Sequence, residues 1–228
     1  MKVRLISYSQ SSKEMLMDYG QNPIPDLQDL VAYCARVSNP GNQLNTEKNE
    51  RLIKYLIKNQ HWSPLEMVSA CLEITTTRDI ARQILRHRSF SFQEFSQRYA
   101  DPTCNLNFVN RDARLQDPAN RQNSIPVDDD KLKNKWELAQ NRVIHEAKAA
   151  YEWAIKNGIA KEQARAVLPE GLIESRLYMN GTIRSWIHYI GLRSSHGTQQ
   201  EHIAVAQACA QAIAKIFPMS EEFTNTTS

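Results

Sequence analysis

Seven glycines in 228 residues, at positions 20, 41, 158, 171, 181, 191 and 197, constrain this chain more than any other feature. A typical chain carries about 7% glycine, more than twice that share. At these spacings neither G-x-G-x-x-G nor G-x-x-x-x-G-K can be written, so the Rossmann and P-loop routes to a nucleotide phosphate are both closed. If the chain binds nucleotides, side chains such as Arg, Ser and Gln must hold the phosphates.

The length suits one catalytic domain, expected over residues 1–218, with a polar, frayed tail over 219–228. With 28 Lys+Arg against 25 Asp+Glu the net charge is +3, which does not announce a nucleic-acid partner. No apolar run reaches the ~20 residues that cross a bilayer, and MKVRLISYSQ lacks a signal-peptide core. Cys34, Cys71, Cys104 and Cys209 lie far apart without a C-x-x-C. The expectation is a reduced, cytoplasmic protein without a membrane partner. Of the four thiols, Cys104 is the one expected to be exposed. His196 and His202 make no H-x-x-x-H or H-E-x-x-H, so no metal site is expected, and they read as structural or surface histidines.

Periodicity predicts an α+β (α/β) chain with helix in excess. Residues 2–8 and 68–75 alternate as strands, and 172–179 is a third candidate. Helices are expected around Leu27–Cys34, 46–59, from Thr76-Thr77-Arg78-Asp79 through Leu85, over 161–167 and over 183–190. Leu132, Trp136, Ala139, Val143, Ala147, Ala150 and Ala154 step by four and three, which predicts a long helix with a buried stripe, capped by Asp128-Asp129-Asp130 and stopped at Gly158. Thr198-Gln199-Gln200-Glu201 has the form of a capping box opening the last helix. Residues 101–127, rich in Asp, Asn, Pro and Gln, read as a surface excursion.

The chemistry concentrates in RQILRHRSFSFQEFSQRY, residues 82–99. Arg86, His87 and Arg88 are consecutive, so at a helix end they fan out about 100° apart and can touch different parts of one large anion. The segment after them adds Ser96 and the Arg98 fork, which suit a phosphate. Arg184 and His188 stand one helical turn apart, with Arg193 beyond them.

Arg86-His87-Arg88, seven residues, then Ser96 resembles the R-H-R-x7-S signature of the flavin-dependent thymidylate synthase family. The likeness extends to Arg82-Gln83, Glu94, Arg98-Tyr99, His61-x-Ser63-Pro64-x-Glu66, Ala164-Arg165-x-Val167-Leu168-Pro169, Arg184-Ser185-Trp186 and Leu192-Arg193 through Glu201, in order over about residues 30–217. The resemblance implies a helix-rich fold around a mixed or antiparallel sheet, not Rossmann, in a homotetramer whose active sites draw on more than one subunit. It implies a methyltransferase that converts dUMP to dTMP, with methylenetetrahydrofolate as carbon donor, and FAD, reduced by NADPH, as hydride source. No covalent enzyme nucleophile is implied.

Carried over by position, Ser38, Ser63, Arg86, His87, Arg88, Glu94, Thr182, Arg184 and His188 resemble FAD contacts. Gln83, Arg86, Glu94, Phe95, Ser96, Gln97 and Arg98 resemble dUMP contacts, with Arg165 reaching the phosphate from a neighbouring subunit. Arg193 resembles the catalytic arginine on the uracil ring. Gln93 stands where many members have Asn.

Overall fold

A computed structural model describes residues 1–19 and 26–220. Its centre is a four-stranded antiparallel sheet in the order β1-β2-β6-β3, built from β1 (Lys2–Tyr8), β2 (Ser69–Thr77), β3 (Ser91–Glu94) and β6 (Glu174–Thr182). β2 and β6 are the two inner strands, paired over their full length from Ser69↔Thr182 to Thr77↔Glu174. Ala70, Leu72, Ile74, Leu177 and Met179 from these strands are all buried. Strand β6 therefore begins two residues later and runs three further than the sequence reading of 172–179. The extension carries Gly181 into the sheet opposite Ala70.

Helices cover this sheet. In chain order they are α1 (Lys13–Tyr19), α2 (Leu27–Ala35), α3 (Asn49–Lys58), α4 (Arg78–Ile84), α5 (Pro102–Asn105), α6 (Asp130–Lys156), α7 (Lys161–Ala164), α8 (Ile183–Arg193) and α9 (Gln200–Ala214). Val31, Ile53, Ile80, Ile84, Trp186, Ile190, Val205, Cys209 and Ile213 supply the helical side of the main core. α2 opens with a capping box in which Asp26 and Asp29 exchange bonds with each other's backbone.

α4 follows β2 without a loop. Its first amides donate to the backbone of the segment before β6, Arg78 N to Ile173 O and Asp79 N to Glu170 O. The Thr77 side chain is therefore not needed as a cap, and its hydroxyl instead accepts from Arg111 at 2.6 Å.

Three expectations are corrected. Leu132, Trp136 and Val143 are 40%, 45% and 49% exposed and Ala150 is exposed as well, so of the expected α6 stripe only Ala147 and Ala154 are core. Ala147, Tyr151 and Ala154 pack with Ala164, Leu168 and Ile173 in a small second cluster. The first half projects beyond that cluster and touches the body through Gln140, whose side chain bonds the backbone of Arg111 in both directions. Thr198 does not cap α9: Gln199 takes that position without a side-chain bond, and the Glu201 carboxylate is drawn to Arg111 and Arg114. Met219 and Ser220 are buried, with Ser220 Oγ donating to Ala210 O at 2.8 Å, so packed chain continues past 218. The rest of the expected tail lies outside the described residues. The excursion 101–127 holds α5 and the hairpin of β4 (Arg114–Gln116) and β5 (Ser124–Pro126). Arg111 ties it down, donating to Thr77, Asp79 and Gly171 O and pairing with Glu201.

The absence of a side chain at Gly181 admits the Phe90 ring, which lies edge-on to Trp186 at 4.8 Å. A methyl group there would sit 2.4 Å from Phe90 Cδ1. Gly181→Ala is therefore expected to cost about 1–3 kcal/mol through overpacking, read as a lowered urea midpoint. Because Phe90 N bonds His87 O, the same change should displace the turn that carries the basic triplet.

Candidate active site

Arg86, His87 and Arg88 lie in the turn between α4 and β3. Helical bonding ends at Leu85, and the turn is held by His87 N donating to Ile84 O at 3.0 Å and by Ser185 Oγ donating to Ser89 O at 3.2 Å. Arg86 and Arg88 are exposed and His87 is half-buried.

His87 meets the far end of α8. Its ring stands edge-on to Tyr189 at 4.9 Å, and its Nε2 accepts from Arg193 Nε at 2.9 Å. That bond requires a bare Nε2, so the ring proton is on Nδ1. Burial, with the Arg193 charge adding to it, pushes His87 down to about 4, which keeps it neutral near pH 7. Behind it, Tyr189 and the wholly buried His202 are joined by a bond of 3.1 Å, and His202 Nδ1 faces Gln83 Oε1 at 3.1 Å.

Of the sixteen arginines, seven pair with a carboxylate among the described residues, and those that do not include three at this site. Arg4, Arg78, Arg82, Arg98, Arg111, Arg114 and Arg184 each pair with a carboxylate. Among the described residues Arg86, Arg88 and Arg193 pair with none. Three guanidiniums without counter-charges, gathered about a neutral histidine, make an electropositive site suited to anionic ligands.

Thr182, Arg184, His188 and Ser63, also expected at a flavin, lie at or against α8. Thr182 caps α8 and also donates to Glu66, which binds Arg184 as well. His188 packs against Trp62 at 4.5 Å, beside Ser63 at the head of the 3-10 turn Ser63–Glu66. Ser38 is exposed in the turn after α2. Thus α8 links the two clusters, with Arg184 and His188 near one end and Arg193 at the other. The exposed Arg86 and Arg88 of the basic turn, joined to α8 through Ser89–Ser185, and the exposed Ser38 and Ser63 suit an elongated ligand bearing phosphates.

The residues expected at dUMP separate into two sets. Gln83 lies with His202 and the His87–Arg193 pair. Glu94 is engaged internally, accepting from Arg82 and Ser175. Phe95 extends β3 by donating to Arg176 O, and Ser96 Oγ accepts from Arg98 N. Gln97 is 3% exposed and its Nε2 has no partner. Arg98 pairs with Glu162 of α7, one turn from Arg165. Among the described residues no bond joins this second set to His87 or Arg193.

With that geometry in hand, the chain can be set beside known proteins. The Thy1 family model, described as thymidylate synthase complementing protein, matches residues 16–219. This chain belongs to that family. A flavin-dependent thymidylate synthase from Synechocystis sp. is 47% identical over 218 residues, covering 96% of each chain. A probable flavin-dependent thymidylate synthase of Paramecium bursaria Chlorella virus 1 is also 47% identical, over 84% of this chain and 87% of its own. Among solved structures, the UMP/dUMP methylase PolB from Streptomyces cacaoi, bound with 5-Br dUMP, superposes with a TM-score of 0.78 at 27% identity. That likeness covers 98% of this chain and 94% of the other. The helix-rich antiparallel architecture expected from the resemblance is thus the Thy1 architecture found here.

Sequence reasoning overlooked Tyr189 and treated His202 as incidental. The signal was present: His202 shares a helical face with Val205, Ala206 and Cys209, so the periodicity that buries them buries it too. A buried histidine needs partners for both ring nitrogens.

Proposed function

We propose that this protein is a flavin-dependent thymidylate synthase that methylates dUMP to dTMP, taking the carbon from methylenetetrahydrofolate. The observation that carries the reading is the group of unpaired guanidiniums on Arg86, Arg88 and Arg193 around His87. The hydride that completes the methyl group would come from FAD, itself reduced by NADPH. Arg86, Arg88, Arg184, His188, Thr182, Ser63 and Ser38 would hold FAD, with His87 beside it and Glu94 bracing the turn through Arg82.

The nucleotide sits against Gln83 and Arg193, and its phosphate against Ser96, Arg98 and Arg165. Arg193 remains charged at any working pH, so it stabilises negative charge that develops on the uracil ring. That charge makes C5 nucleophilic without a covalent enzyme bond. The thiols accord with this: burial pushes Cys34, Cys71 and Cys209 up, away from thiolate character, and Cys104 stands exposed outside both clusters. The working unit is a homotetramer, and the protein acts in the cytoplasm. That no bond among the described residues joins Ser96, Arg98 or Arg165 to His87 or Arg193 within one chain supports a site shared between subunits, as do the exposed Trp136, Leu138 and Trp153 on α6. No helix among the described residues is long and apolar enough to cross a membrane.

The test is dTMP formation by purified, FAD-loaded protein given dUMP, methylenetetrahydrofolate and NADPH. Product is expected, and it should vanish when FAD is omitted. A protein that binds neither flavin nor dUMP would overturn the reading.

A further inference from the structure

A single file of side chains crosses from the surface of α9 into the core beneath the site. Glu201 binds Gln199 Nε2 at 2.9 Å, Gln199 Oε1 lies 2.9 Å from Gln83 Nε2, Gln83 Oε1 lies 3.1 Å from His202 Nδ1, and His202 Nε2 lies 3.1 Å from Tyr189 OH. Four of its five members are on or next to α8 and α9, yet Gln83 comes from α4, some 119 residues from His202.

The direction of every bond in this file follows from its outer end. Burial works against ionisation of Glu201, but its own backbone amide and the Arg111 and Arg114 charges hold the carboxyl below its usual range. An ionised carboxylate only accepts, so Gln199 must donate to it and turn its carbonyl to Gln83. Gln83 then donates through Nε2 and accepts at Oε1. His202 must carry its proton on Nδ1, leaving Nε2 to accept from the Tyr189 hydroxyl. Burial first, then the Arg193 charge and the neighbouring His87, push His202 down to about 3, so the ring cannot donate from both nitrogens near pH 7. Burial also raises the Tyr189 phenol, which keeps its proton. The groups facing His202 are Tyr189 and Arg193 of α8, Gln83 of α4 and His87 of the turn. None of them reverses this polarity.

We infer that Tyr189 and His202 are positioning residues that hold the Gln83 amide oxygen, with the polarity of the file set from Glu201 through Gln199, so that the second Nε2 hydrogen of Gln83 is turned towards the nucleotide. The inference rests on the reading that Gln83 meets dUMP. It adds that the contact is a donation from Gln83 Nε2 to an oxygen of the nucleotide, because the amide oxygen is committed to His202. An amide free to flip would present donor and acceptor edges alike and would lose that selectivity.

Asparagine at 202 can place a side-chain N–H near the position of Nδ1, whereas leucine cannot donate. His202→Leu is expected to weaken dUMP binding by about tenfold, the worth of one oriented hydrogen bond, while flavin content and kcat at saturating dUMP stay within about threefold. His202→Asn should recover most of that affinity. Calorimetric titration with dUMP reads both variants. Equal losses in the two, or none in either, would overturn the inference. A wild-type chain that binds no dUMP would instead overturn the functional reading, and the inference with it. Should His202→Leu fail to fold, 15N-labelled histidine in the wild-type protein decides. Its His202 signals should show a protonated Nδ1 and a bare Nε2, and the opposite tautomer or an imidazolium at pH 7 would overturn the proposal.

Discussion

Arg193→Ala is expected to retain flavin and lose about 10²–10³-fold in kcat, the usual consequence of removing one preorganised donor from developing charge. The expectation follows from what Arg193 does not do. Among the described residues it pairs with no carboxylate, and its one bond is Nε to the neutral His87. Its two terminal nitrogens are therefore available to a ligand. Arg193→Lys keeps a charge but not the fork that reaches His87 and substrate together, so it should restore only part of the rate. Turnover in Arg193→Ala near that of the wild type would remove Arg193 from the chemistry. The variant has a second readout. Arg193 helps to depress His87, so His87 should titrate at higher pH in Arg193→Ala, which NMR of the imidazole would register.

The protein should also be unusually sensitive to mild acid. His87 is depressed to about 4 and His202 to about 3, chiefly by burial, from an ordinary value of 6.5. Below pH 6.5 the unfolded chain therefore binds protons at both sites that the folded chain refuses. Stability rises with pH wherever the unfolded state holds more protons, so it must fall as pH drops from 6.5 towards 4. For two such groups, one of them half-exposed, the loss between pH 6.5 and 4.5 is on the order of 3 kcal/mol. The carboxylates act later and in the same direction. Glu66, held low by its bond to Arg184, and Glu73, held low by Arg4, lose their contribution only as pH falls below about 4.5. Urea midpoints measured from pH 7.5 to 4 would show the histidine phase first. A flat profile above pH 5 would mean that neither ring is buried neutral.

Elements whose partners are near in sequence were the legible part of this fold. Strand β2 alternates cleanly, α8 and α9 carry continuous apolar faces, and Asp129 caps α6 by accepting from Lys131 N and Leu132 N. α1 escaped notice although Ser12 Oγ accepts from Met15 N, a local helix-start signal. The α6 stripe misled for a physical reason. Amphipathic spacing states that a face is apolar, not what covers it, and in one chain Leu132, Trp136 and Val143 remain open. The Thr198 capping box failed because Glu201 had better partners in two arginines from the excursion. For the site, the ordered basic-aromatic motif was visible at once, whereas the polar file behind it was not. Its two bonds to Gln83 join residues more than a hundred positions apart, and no local pattern marks Gln83 and His202 as neighbours.

The excursion has one further consequence. Every cross-strand bond at the centre of the sheet joins a strand that precedes residues 117–123 to one that follows them: β2 and β3 lie before, β6 after. Arg111 and Arg114 stand on the first side, Gln140 and Glu201 on the second. A trypsin cut after the exposed Arg121 would divide the polypeptide into two fragments, neither of which contains a complete sheet or a complete basic cluster. The pieces would nevertheless be held by the ladder, the Arg111 clasp and the His87–Arg193 bond. Such a protein should migrate as two bands in denaturing gels and as one particle in native chromatography. The two halves, produced as separate chains, form a natural split pair for reconstitution by fragment complementation.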